Sequence, residues 1–258
     1  MQPSTLLNPH NQPIITQKLS VCCPILNHFL SGGIPCNSIT EVVAESGSGK
    51  TQLCLQLLLS AQLPVSLGGL SSSSLFLHTE FPFPFRRLRQ LSLSFLNSHK
   101  PLFASSSFDP MDHVFVQPIH DAHHLFDILL KLDSFLVRRN STQSPIKLIV
   151  IDSIAAVFRS DFDNTPSDLK KRSSFFFKIS GKLRELAEKF GLAVGKGVEE
   201  DGRMSVSMKT RREGVEREAK IESFKSKVGE QESELNYLEA VITVEVRAAI
   251  GDLVLMLR

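Results

Sequence analysis

Eight residues, Ala44-Glu45-Ser46-Gly47-Ser48-Gly49-Lys50-Thr51, constrain this chain more than any other segment. They lie between a β-branched run, Ser38–Ala44, and a stretch of helix formers over residues 50–63 that ends before Pro64. Small residues between a buried strand and a helix let backbone N–H groups curl around phosphate oxygens, with the positive helix end aimed at the anion. The segment meets the phosphate-loop pattern G-x-x-x-x-G-K-[ST], except that Ala44 stands in for the first glycine. In that reading Glu45, Ser46, Gly47, Ser48 and Gly49 cradle the phosphates of a nucleotide. Lys50 reaches the β- and γ-phosphates, and Thr51 offers its hydroxyl to Mg²⁺. A glycine-rich turn with no ligand is the alternative, and the strand–loop–helix setting argues against it.

A phosphate loop needs a sheet around it, and the chain supplies the alternation. Leu75–Glu80 reads as a strand stopped by Pro82 and Pro84, followed by a helix over residues 86–97. His113–Gln117 reads as a short strand. Leu125, Ile128, Leu129, Leu132, Phe135 and Leu136 make a helical stripe over Asp121–Arg138, with Asp121 as its cap. Lys147–Ser153 holds a continuous apolar run that suits a strand buried on both faces of a parallel sheet. A long helix from Pro166 to Phe190 ends at Gly191. The expected class is α/β, a mainly parallel central sheet flanked by helices. With 42% hydrophobic residues the chain can bury such a core, which excludes a mainly disordered, collagen-like or coiled-coil protein.

Two carboxylates stand at strand ends. Asp152 follows Leu148-Ile149-Val150-Ile151 and precedes Ser153, the form of a Walker B acid that holds Mg²⁺ through bound water. Its alternative is a strand-end Asp capping the next turn. Glu80 ends the His78-Thr79-Glu80 run, near the crevice where open α/β sheets bind ligands. There it can orient water toward the γ-phosphate; its alternative is a solvated loop acid.

The remaining composition narrows partners and setting. The net charge of +2, from 29 Lys+Arg against 27 Asp+Glu, gives no global basic field, so any nucleic-acid contact must be local. With 18 Phe, one Tyr and no Trp, base stacking would fall to Phe. Cys22, Cys23, Cys36 and Cys54 form no C-x-x-C pair and have no His partners at zinc spacing, which fits reduced thiols. The first twenty residues lack the apolar run of a signal peptide, and no stretch has the length to span a bilayer. The expectation is a soluble intracellular chain without a membrane partner.

Four ordered segments resemble the RecA-type recombinase family, in its eukaryotic paralogue branch. They are residues 21–27, residues 30–57 with the phosphate loop, residues 75–91 with Glu80, and residues 147–194 with Asp152. The resemblance covers residues 16–194. It implies a RecA-like P-loop NTPase core in homologous recombination, with ATP and Mg²⁺ as cofactors. Glu80 becomes the water-activating acid, and Arg87 takes the place of an arginine that packs on the adenine. Residues 159–172 correspond to a DNA-facing loop, so Arg159, Lys170, Lys171 and Arg172 become phosphate contacts, the alternative being a solvated charge cluster. The resemblance also implies single-stranded or branched DNA, other recombinase paralogue subunits and the main strand-exchange recombinase as partners. It implies action in double-strand break repair, and a nuclear location with a cytoplasmic pool.

The family pattern breaks after Val194, where an apolar strand ending in Thr-Asn-Gln is expected and Gly195-Lys196-Gly197 stands. The expected organisation is an extended lead-in over 1–18, a core over 19–194 cut before its last strands, and a charged tail over 195–258, partly helical or disordered. Gly-Lys can be encoded by GGT-AAG, which contains the consensus start of an intron, and the tail reads as intron-derived. A second function follows from the break: a non-catalytic adaptor with a vestigial nucleotide site. A small-molecule P-loop kinase is disfavoured, because no lid or acceptor motif follows.

Overall fold

Burial on both faces of the strand Ile146–Asp152 sets the layering of the molecule. A computed structural model describes residues 17–44, 49–79, 82–103, 108–141, 144–160, 165–199, 205–212, 215–223 and 242–249. The elements run β1 (Lys18–Leu19), α1 (Pro24–Phe29), β2 (Ile34–Pro35), β3 (Ser38–Ala44), α2 (Lys50–Ser60), β4 (Ser73–His78), α3 (Phe85–Ser98) and α4 (Lys100–Phe103). After these come β5 (Val114–Pro118), α5 (Ala122–Asn140), β6 (Ile146–Asp152), α6 (Ile154–Ser160), α7 (Pro166–Phe190) and β7 (Ala193–Glu199). Three further strands close the order, β8 (Ser205–Arg212), β9 (Val215–Ser223) and β10 (Ile242–Ala249).

Five parallel strands in the order β3-β7-β6-β4-β5 form the centre of the sheet, and β8, β9 and β10 extend it antiparallel beyond β3. Successive strand residues point to opposite faces. Leu148 and Val150 of β6, with Phe76 of β4 and Val42 of β3, therefore meet Leu55, Leu58 and Leu88 of α2 and α3. Ile149 and Ile151, with Leu75 and Leu77, meet Leu125, Leu129 and Leu136 of α5 and Ile179, Leu183 and Leu186 of α7. Burying such a side chain is worth about 1.5–3 kcal/mol. These two layers, more than helix propensity, hold the sheet.

Local signals set the helix limits. Asp121 accepts the His124 N–H at 2.6 Å and caps α5 as expected. Thr165 accepts the Asp168 N–H at 3.2 Å, Pro166 opens α7, and Gly191 ends it at φ +66°. The connection over residues 64–74 is more ordered than its glycines and serines suggest. It holds a 3-10 turn at Val65–Leu67, and its last two serines enter β4. Among the described residues no helix is long and apolar enough to cross a membrane.

The region after Val194 differs from its expected form. Residues 195–199 continue β7, which pairs in parallel with β3 on one side and β6 on the other. Backbone pairing on both sides overrides the weak strand tendency of Gly195-Lys196-Gly197. Residues 205–212 and 215–223, in a stretch read as solvated helix or disorder, are strands. Strand β9 carries Val215, Ala219 and Ile221 at alternate positions interrupted by Arg217, and it pairs with β8 and β10.

Lys196 lies at the centre of the sheet with only 5% of its surface exposed. Its ammonium pairs with Glu41, its register partner on β3, and sits 4.8 Å from the centroid of the Phe176 ring. Glu41 Oε2 has no hydrogen-bond partner among the described residues. Removing one member of a buried pair strands the other charge, which costs about 3–5 kcal/mol, whereas replacing both with apolar residues is close to neutral. Lys196→Met should therefore lower unfolding stability in urea by about 3–5 kcal/mol, and Lys196→Met with Glu41→Leu should recover most of it. Equal stability of the single and double variants would show that the pair does not set the cost.

Candidate functional site

Parallel pairing brings strand ends together: Ala44 lies opposite Glu199, and His78 opposite Asp152. Helix α2 begins after Gly49, whose φ of +94° suits a residue without a Cβ. Gly49 has no side chain to cap α2, and the first turn contains no acidic residue. An anion therefore meets no carboxylate in that turn at the N–H groups a helix start leaves unpaired. Lys50 is the first residue of α2.

The next residue makes the contact that defines the site. Thr51 Oγ1 donates to Asp152 Oδ2 at 2.6 Å, joining residues 101 apart in the chain. That length is typical of a hydroxyl bonded to a carboxylate. The two groups are hard oxygen donors, the type that Mg²⁺ takes. Two such donors leave the rest of an octahedral shell to water and phosphate, and so fit one hydrated, phosphate-bound cation. One turn along α2, burial pushes the Cys54 thiol far above its ordinary range, and the Asp152 charge adds to the effect against that of Lys50. That thiol stays protonated at neutral pH.

Two neighbours shape Asp152. A Cβ on Gly197 of β7 would come within 2.7 Å of Asp152 Oδ1, so the missing side chain leaves room for the carboxylate. Thr79, just past β4, bonds the backbone that follows Asp152: its N–H donates to the Asp152 carbonyl at 3.1 Å. Its hydroxyl accepts the Ser153 N–H at 2.9 Å and donates to the Ser153 carbonyl at 2.7 Å.

The other expected residues divide by place. Arg87 Nε donates to Gln52 Oε1 at 2.9 Å and its Nη1 to Gln90 Oε1 at 3.2 Å, which ties α3 to the first turn of α2 beside the phosphate loop. Glu45, Ser46, Gly47, Ser48 and Glu80 lie outside the described residues. The segment matched to a DNA-facing loop is largely helical. Arg159 is in α6, while Lys170, Lys171 and Arg172 occupy the second turn of α7. Lys170 and Lys171 are exposed, and Lys171 pairs with Asp168 at 3.0 Å. That bond, followed by the one from Thr165, holds the Asp168 carboxyl below its ordinary range.

Sequence reasoning missed Thr79, Gln52 and Gly197. For Thr79 one signal existed, a hydroxyl residue at a strand end beside an acid. For Gly197 there was none, since its meaning depends on a register with β6.

Comparison with known proteins supplies the remaining evidence. A sequence model of the Rad51 family matches residues 14–210, so the match runs beyond Val194, where the resemblance was expected to end. The chain is 59% identical over 196 residues to a DNA repair protein XRCC3 homolog of Arabidopsis thaliana, a match covering 75% of this chain and 62% of that one. It is 36% identical over 173 residues to DNA repair protein XRCC3 of Bos taurus, covering 66% and 49%. To DNA repair protein RAD51 homolog 2 of Homo sapiens it is 31% identical over 181 residues, covering 68% and 44%. The chain thus spans between 44% and 62% of the length of these relatives.

Gly197→Ala tests the packing at Asp152. The added methyl should move the carboxylate off Thr51 and weaken Mg²⁺-dependent nucleotide binding by roughly tenfold, about one hydrogen bond to a charged group. The thermal midpoint should hold, because the atom displaced is the end of a side chain. Titration with a fluorescent ATP analogue, with and without Mg²⁺, reads the change, and undiminished affinity would contradict it.

Proposed function

The chain belongs to the Rad51 family, and on that premise we propose that it is an ATP-binding subunit of homologous-recombination repair, acting on DNA at double-strand breaks. The observation that carries the reading is the Thr51–Asp152 bond at the start of α2, beside Lys50. When bound, ATP with Mg²⁺ supplies a hydrolysable phosphoanhydride. The chain's own part is to hold phosphate at the start of α2, to offset its charge with Lys50, and to fix Asp152 with the Thr51 hydroxyl. In this reading Glu80 orients the attacking water and Arg87 lies against the adenine.

The same reading takes Arg159, Lys170, Lys171 and Arg172 as contacts to the phosphates of single-stranded or branched DNA. Partners are other recombinase paralogue subunits and the main strand-exchange recombinase, in the nucleus. That these relatives are DNA repair proteins supports repair as the setting.

Lys50→Ala should reduce affinity for a fluorescent ATP analogue by 10-fold to roughly 100-fold, the range for a lost hydrogen bond between charged groups. Unchanged affinity would sink the nucleotide assignment. Replacing Lys170, Lys171 and Arg172 together by Ala should weaken single-stranded DNA binding equally across sequences. The slope of log affinity against log salt should fall by about 0.7 for each single-strand phosphate no longer neutralised. A sequence-dependent weakening, or none, would place the DNA-binding face elsewhere.

A further inference from the structure

We infer that Thr79 is a positioning residue for Asp152, acting through the backbone to set the direction in which the carboxylate leaves the sheet; this rests on the nucleotide reading above. Strands β4 and β6 pair in parallel up to His78 and Asp152, where the ladder stops. Beyond it Thr79 adds three bonds. Its N–H holds the Asp152 carbonyl, and its one hydroxyl takes both backbone polar groups of Ser153. A threonine hydroxyl offers one donor and two acceptor sites, so here it donates once and accepts once. The peptide between Asp152 and Ser153 is thereby gripped at its carbonyl and at its N–H.

On the other side, Thr51 holds Asp152 Oδ2 at 2.6 Å. Asp152 thus sits between two threonines, one on its following backbone and one on its side chain. Gly197 leaves the third direction open to the carboxylate. A carboxylate on a strand tip with only the ladder behind it could swing with the backbone that follows it. A displacement near 1 Å would break a hydrogen bond of this length, and such shifts cost up to about 100-fold where geometry governs the step. Thr79 supplies the restraint by a β-branched side chain with few rotamers.

The test uses the full chain and a fluorescent ATP analogue, titrated with Mg²⁺ and with EDTA. Thr79→Val keeps the shape and removes both hydroxyl bonds. It should leave the Mg²⁺-free affinity within about twofold and cut the Mg²⁺-dependent gain by roughly tenfold, as expected for two lost bonds near one carboxylate. Thr79→Ser restores the hydroxyl and should restore the gain. A merely structural role would lower both affinities together, or none. If wild-type protein binds no nucleotide, the reading of the site fails. If wild type binds and Thr79→Val keeps the full Mg²⁺ gain, or Thr79→Ser fails as Thr79→Val does, the inference alone is overturned. Should Thr79→Val not fold, Thr79→Ala is compared with Thr79→Ser by the same criterion.

Discussion

Parallel pairing obliges every strand of the central sheet to end on the same edge, and everything chemical in this chain depends on that constraint. The phosphate-loop helix, Asp152, Thr79 and Gly197 come from four strands whose order in the sheet is not their order in the chain. Because β3 and β6 are separated only by β7, the Thr51 hydroxyl and the Asp152 carboxylate come within a short hydrogen bond. Were β6 reversed relative to β3, those two groups would lie at opposite edges. The helices on both faces serve this geometry by burying most of β4 and β6.

The cost of the arrangement is concentrated in β7. A central strand in such a sheet is dry on both faces, yet it carries a lysine between two glycines. Register supplies the remedy, since Glu41 faces Lys196 directly across the ladder. The Phe176 ring adds a third partner from α7, the helix that carries the exposed basic turn. Strand β3, which leads into the phosphate loop, and helix α7 are thus joined through one ammonium group.

Much of this was legible from local pattern. The strand over Ser38–Ala44, the helix that starts at Lys50, the run ending in Asp152 and the cap at Asp121 each rest on a few consecutive residues whose chemistry is self-contained. What stayed hidden depended on pairing. Lys196 reads as a surface charge until Glu41, far earlier in the chain, becomes its neighbour. Gly197 looks like a loop residue until β6 places a carboxylate against it. Helix α6 runs two residues into the segment expected to be loop, and its seven residues carry too little periodicity to be read as a helix. The strand at 215–223 was masked by its charges, since Arg217 interrupts the alternation of Val215, Ala219 and Ile221.

The strand order also bears on how the chain is made. During synthesis β3 leaves the ribosome early, while β7, its parallel partner, follows about 150 residues later, a delay on the order of ten seconds at ordinary elongation rates. For that interval Val42 and Val43 lack the parallel neighbour that later helps to bury them. Sheets closed by such distant pairings form slowly and expose sticky edges while they wait. The last parallel strand of the site is therefore also the step at which the nascent chain has most to gain from a chaperone.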